Sequence, residues 1–189
     1  MKLYNKGFTL IELVVVIAII GILGGAVFMS IKPGELLENS RDTTRKSDAR
    51  NLSTAISKAL ANQEIVLAPV NKQGSLNVLY TSLSTDVNAT KVDGTGYVRF
   101  TINSGATITK IDLNKLPVDP SDGKEIVAST ASGDAKKHKI VFCSNGTDFE
   151  INTALENDAV KKEMINDGGD NDRAYEVGTL LTICPSNAF

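Results

Sequence analysis

The chain has 189 residues, 42% hydrophobic and 22% charged, with a formal net charge of -2. That composition excludes a disordered, collagen-like or multi-span membrane chain, and the small net charge gives no global pull towards nucleic acid or acidic membranes. One histidine, His138, no tryptophan and 5% aromatics remove most histidine-based metal and triad chemistry, and leave no stacking platform for single strands.

The apolar residues are concentrated at one end. From Phe8 to Ile31 the chain reads FTLIELVVVIAIIGILGGAVFMSI, with Glu12 as its one charge. As a helix this segment would run about 36 Å, enough to span a hydrocarbon core of about 30 Å with some tilt. The leader MKLYNKG carries Lys2 and Lys6 and no acid. The positive-inside rule then keeps the N-terminus in the cytoplasm and places the chain after Lys32 outside. A secretory signal would have a shorter apolar region and a small-residue cleavage site behind it. A plain single-pass anchor gains nothing from Glu12, because a carboxylate inside a spanning helix costs roughly 2.5–3.5 kcal/mol. If the chain is cut after Gly7, Phe8 becomes the N-terminus, and its amine lies about one helical turn from Glu12. In a bundle of parallel copies a neighbour's amine could neutralise that carboxylate and set an axial stagger.

The run KGFTLIELVVVIAIIGIL resembles the processing site and N-terminal helix of type IV pilins and their pseudopilin relatives. The shared parts are a short basic leader, a glycine just before phenylalanine, the FTLIE run and an unbroken apolar helix. The resemblance implies that Gly7 precedes the scissile bond and that Phe8 is exposed and N-methylated by a prepilin peptidase and methyltransferase. It also implies that Glu12 is the assembly carboxylate. Family members often carry a proline near the place of Met29; here Gly21, Gly24 and Gly25 lie upstream and Pro33 downstream. Those glycines could loosen the helix or permit close helix–helix packing.

Pro33-Gly34 predicts a break, after which residues 35–62 regain helical character. Ala49, Leu52, Ile56, Ala59 and Leu60 form one apolar stripe at helical spacing. The opposite face carries Arg41, Asp42, Arg45, Lys46, Asp48 and Arg50, whose mixed signs read as a solvated face or as salt bridges between subunits. Residues 63–93 read as a connecting loop region with a short helix near Leu76–Leu83. Strands are expected at Tyr97–Ile102, Thr107–Leu113, Glu125–Ser129, Lys139–Cys143, Asp148–Thr153 and Val177–Ile183. Asn145-Gly146 between Phe142 and Phe149 is the strongest hairpin signal. His138, among Lys136, Lys137 and Lys139, reads as an exposed side chain without a catalytic partner. The LPVDPSDGK, IVFCSNGTDFEINTALEN and DGGDNDRAYEVGTLL segments resemble the C-terminal half of pilin-like proteins close to type II secretion major pseudopilins.

Cys143 and Cys184 both fall in the part expected outside, where two cysteines favour one disulfide over buried free thiols. The turn NDGGDND offers Asp167, Asp170 and Asp172, with Glu176 just after. It reads either as a solvated turn or as part of a Ca²⁺ site. The resemblance favours the metal, since major pseudopilins hold calcium in a C-terminal loop. No other cofactor is expected.

These readings predict an α+β fold in which a long N-terminal helix, half membrane-spanning and half amphipathic, packs on a small antiparallel head, the pilin fold of the resemblance. The segments are 1–7 (leader), 8–31 (transmembrane and assembly helix), 32–62 (amphipathic half), 63–93 (connecting region) and 94–189 (disulfide-closed head). The expected function is structural, with no catalytic residues: a type IV pilus-like subunit polymerising as a helical homo-oligomer. It would first sit in the cytoplasmic membrane and later in a surface or periplasm-spanning filament. Its partners would be the prepilin peptidase and the pilus or secretion assembly machinery, with no nucleic acid. The alternatives are a type II secretion pseudopilin and a membrane-tethered binding protein that never polymerises.

Overall fold

A computed structural model describes residues 7–70, 81–82, 88–126, 137–157 and 160–185. The chain divides into two compact units, Met1–Leu37 and Glu38–Phe189.

In the first unit, helix α1 spans Leu10–Ile31. Thr9, extended at φ -78° and ψ 153°, is its N-cap and forms a capping box with Glu12. No residue of α1 is buried. Covering one such large apolar side chain contributes roughly 1.5–3 kcal/mol, so a helix bare on every side belongs in lipid or among other helices. The break falls at Lys32, which is left-handed at φ 46° and ψ 71°. The residue before a proline is disfavoured in the helical region, whereas Pro33 itself suits a first helical position. Helix α2 therefore starts at Pro33, two residues earlier than expected, and runs to Ala61.

In the second unit α2 buries Asp42, Arg45, Ala49, Leu52, Ala55, Ile56 and Ala59. The predicted stripe is this face, with Leu60 half-buried at its edge. It packs on Tyr97, Val98, Phe100, Ile111, Leu116, Phe142, Phe149 and Ile151. Two antiparallel sheets supply the rest. Strand β1 (Ile65–Leu67) pairs with β2 (Phe100–Ile102). Strands β3 (Ile140–Ser144), β4 (Phe149–Thr153) and β5 (Tyr175–Gly178) form a three-stranded sheet in that order, with the short helix α3 (Lys162–Ile165) between β4 and β5. The fold is α+β with an apolar N-terminal helix.

The β3–β4 hairpin turns at Asn145-Gly146 as expected. Asn145 Oδ1 accepts from the Thr147 and Asp148 amides at 2.9 and 2.8 Å, and Gly146 sits at φ 101°, where a side chain would strain the turn. Several strand expectations change. Tyr97–Ile102 shrinks to β2, and β1 arises inside the region read as a connecting loop. Residues 107–113 form no strand; they are pinned instead by Ile111, whose amide donates to the Val92 carbonyl at 3.0 Å. The last strand lies at Tyr175–Gly178 rather than Val177–Ile183. Glu125 makes only an isolated bridge to Lys137, and residues 127–129 of that expected strand lie outside the described residues. So do residues 1–6 of the leader and most of the short helix expected near Leu76–Leu83; Thr81 instead bridges to Val141.

Cys143 and Cys184 form a disulfide with a Cα–Cα distance of 5.4 Å. Both are buried, in a small cluster with Val141, Ala154, Ala174 and Ile183. The bond fastens the C-terminal segment across the sheet face opposite α2.

Candidate functional site

The residues expected at the processing site are exposed. Gly7 has nothing within 4 Å of the place a Cβ would take, and Phe8 is 86% exposed. Glu12 lies in the first turn of α1. Its Oε2 accepts from the Thr9 amide at 2.8 Å and the Thr9 hydroxyl at 2.7 Å, while its own amide donates to Thr9 Oγ1 at 3.3 Å.

The charged face of α2 departs from expectation. Asp42 and Arg45, read as solvated or intersubunit groups, are buried and satisfied within the chain. The Arg45 guanidinium forks onto Asp119 at 2.8 and 2.7 Å, and also donates to Asp42 at 2.7 Å and Glu156 at 2.5 Å. Asp42 in turn accepts from the Glu156 and Asn157 amides at 2.9 and 2.8 Å. Glu156 also pairs with Arg41 and accepts from Ser121 Oγ at 2.7 Å. Burial opposes ionisation of Glu156, yet the bonds from Arg41, Ser121 and Arg45 outweigh it and hold the carboxyl at about 2. Burial likewise opposes the Arg45 charge, and its bonds to Asp119, Glu156 and Asp42 hold it protonated. His138 is buried rather than exposed, with Nε2 3.8 Å from Glu156 Oε1. Burial and the Arg45 charge push its pKa down, against the opposing pull of the Asp119, Glu156 and Asp42 carboxylates. Asp119 comes from the LPVDP segment, which thereby serves as the receptor for a helix arginine.

A second buried polar cluster lies on the other face of the three-stranded sheet. Along β4, Phe149 and Ile151 enter the main core, so Glu150 and Asn152 face the opposite way. The β4–β5 register sets Asn152 opposite Glu176 and Glu150 opposite Gly178. Asn152 Nδ2 donates to Glu176 Oε1 at 3.0 Å. Glu150 Oε2 accepts from the Ile183 and Cys184 amides at 2.7 and 2.8 Å. Glu150 Oε1 and Asn152 Oδ1 are buried without a donor among the described residues. Burial and the neighbouring Glu150 push the Glu176 carboxyl up to about 8.

Carboxylate oxygens of Glu150, Asp170 and Glu176 lie within 4.8 Å of one another. Of the three expected ligands, Asp170 alone joins this group. Asp167 is used in shaping the turn, accepting from Gly169 at 3.0 Å and Glu176 at 2.8 Å through their amides. Asp172 is exposed and outside the group. Oxygen donors with a buried carboxylate oxygen left over fit a hard cation such as Ca²⁺. Sequence reasoning passed over Glu150 because a glutamate on a short strand carries no sign of being buried. Its place opposite the acidic turn is set by register.

Neither a curated relative nor a solved structure matches the chain. Residues 2–28 match the family model described as the prokaryotic N-terminal methylation motif. That motif implies processing by a prepilin peptidase and entry into a pilus or secretion system. Together with α1, which is long and apolar enough to cross a membrane, it fits the class III signal peptide of the type IV pilin family.

Proposed function

We propose that the chain is the precursor of a structural subunit of a type IV pilus-like filament. It is cut after Gly7, methylated on Phe8 and polymerised through α1, with Glu12 paired to the N-terminal amine of a neighbouring copy. The observation that carries this reading is α1 itself: an apolar helix exposed on every side, bearing one carboxylate and set on a methylation motif. Before assembly lipid covers it; in the filament, parallel copies do. The role is one of assembly, not catalysis. Intact mass and N-terminal sequencing of material sheared from cells test it, with Glu12→Ala as the comparison. A mature chain starting at methylated Phe8, present in the sheared fraction with Glu12 and missing with Glu12→Ala, is the expected result. An unprocessed chain retained in the membrane would leave a tethered, non-polymerising domain.

The cluster at Glu150 favours a second, narrower reading, a secretion pseudopilin with a calcium-braced head. Glu150, Asp170 and Glu176, aided by Asn152 Oδ1, would hold the cation, which would neutralise two buried carboxylates. Because Glu150 also carries the Ile183 and Cys184 amides, the bound ion would stiffen the C-terminal segment. Calcium should raise the melting temperature of the wild-type chain over that in chelator, and should leave Asp170→Asn nearly unmoved. Equal melting with and without calcium in the wild type would remove this reading.

A further inference from the structure

We infer that the Cys143–Cys184 disulfide positions the Glu150 carboxylate, so that the cation site is complete only in the oxidised head and calcium binding and disulfide closure favour one another. The inference rests on the reading of the Glu150 cluster as a cation site and adds to it a redox control.

The register of the sheet places the bridge against the ligand. Cys143 on β3 pairs directly with Glu150 on β4, and residues so paired have side chains on one face, about 4.5–5.5 Å apart. A bridge from Cys143 therefore lands Cys184 over Glu150. There the Ile183 and Cys184 amides donate to Glu150 Oε2 at 2.7 and 2.8 Å. On the other side of β4 the residue paired with Glu150 is Gly178, which has no side chain to crowd the carboxylate. Upstream, the Thr179 amide donates to the Phe149 carbonyl at 2.9 Å. Among the described residues no further backbone bond ties the segment to the sheet before Ile183, so the two amides reach Glu150 through the sulfur bridge rather than through strand pairing. Both donors take Oε2. Glu150 Oε1 and Asn152 Oδ1 stay buried without a donor among the described residues, in side chains that are wholly buried. The same Glu150 carboxylate lies in the group with Asp170 and Glu176.

Two buried carboxylates repel one another, and each loses hydration. The paired amides hold Glu150 beside Glu176 before a cation arrives, so binding does not have to gather the ligands. With the thiols reduced, the C-terminal segment loses its covalent tie and Glu150 its fixed donors, and binding must then supply that ordering. Linkage makes the effect mutual: the factor by which an open bridge weakens calcium is the factor by which calcium favours the closed bridge. A disulfide that only stabilised the head would leave the folded head's affinity for calcium unchanged.

The test uses the full, detergent-solubilised chain at pH 7, with calcium binding followed by calorimetry where near-ultraviolet circular dichroism shows the head folded. Opening the bridge as Cys143→Ser with Cys184→Ser should weaken calcium about tenfold, the effect of one charge-assisted hydrogen bond. Ala55→Gly, which weakens α2 on the opposite face of the sheet, should leave the affinity unchanged. The wild type gives the reverse direction in mixtures of dithiothreitol and its oxidised form. On closure the two cysteine thiols pass two electrons and two protons to the oxidised reagent, which becomes the dithiol. Calcium, against chelator, should shift that equilibrium towards the closed bridge and level off at about tenfold, and should not shift it in Asp170→Asn. Equal calcium affinity with the bridge open and closed would overturn the inference and leave the cation site standing. So would an equal loss in Ala55→Gly. A redox shift that grows with calcium without levelling off would also overturn it, because reduction would then simply unfold the head. Absence of calcium binding in the wild type would remove the cation reading itself.

Discussion

Replacing Arg45 with methionine removes a cation that lies within bonding distance of Asp42, Asp119 and Glu156 together. The three carboxylates do not suffer equally. Asp42 keeps the Glu156 and Asn157 amides, and Glu156 keeps Arg41 and Ser121. Asp119 loses both arms of the guanidinium fork and keeps the Ser121 amide and the Thr153 hydroxyl, the latter at 3.3 Å. An uncompensated buried charge of this kind costs about 3–5 kcal/mol, a large share of the roughly 5–15 kcal/mol that holds a domain folded. Chemical denaturation of the detergent-solubilised chain at pH 7 would measure it. The pH dependence carries a sign. The folded Glu156 carboxyl is depressed from 4.5 to about 2, so its contribution is fully present above its unfolded value and is lost as pH falls through the folded one. Arg45 supplies part of that depression beside Arg41 and Ser121, so the gap between wild type and Arg45→Met should be widest near neutrality and narrow between about pH 4.5 and 2. Pairing Arg45→Met with Asp119→Leu should recover much of the loss, because the stranded charge goes with its partner. A loss at pH 7 below about 1 kcal/mol, the range of an exposed ion pair, would refute the reasoning. So would a gap that does not change with pH.

Other outcomes follow from the head. Opening the disulfide as Cys143→Ser with Cys184→Ser, which span 41 residues, should lower stability by about 4 kcal/mol at most, read as a fall in melting temperature that reductant reproduces in the wild type. Gly178→Ala would set a Cβ 2.1 Å from the Phe149 carbonyl oxygen. The near atoms all belong to the β4 backbone at Phe149 and Glu150, which cannot swing aside as a side chain would, so the change should destabilise by about 1–3 kcal/mol in the same denaturation assay. Gly169→Ala would drive a Cβ into Glu176 Oε2 at 1.5 Å, so it should weaken the calcium-induced rise in melting temperature more than Asp172→Asn does, as measured by thermal scans. Asp172 lies on the surface away from the cluster and should be silent in that assay.

The apolar helix was legible because the physics that makes it is local. A run of apolar residues with one carboxylate is a statement about solvent, and no partner is needed to read it. The same holds for the break before Pro33 and for the Asn145-Gly146 turn, where steric limits act over one or two residues. The stripe Ala49–Leu60 also declared its buried face through spacing alone. Strands of three to five residues are too short for a period to stand out, so β1 went unseen within a loop-like stretch, and the last strand begins at Tyr175 and ends at Gly178 rather than running from Val177 to Ile183.

What tertiary structure decided were the polar interiors. Arg45 looks in sequence like any surface arginine beside an aspartate, and the groups that bury it lie 74 and 111 residues away at Asp119 and Glu156. Glu150 faces Glu176 only because β4 and β5 pair in one register, and a slip of one residue would turn it into the main core. Burial of a charge is a property of its partners, and partners brought together by chain folding leave no local mark.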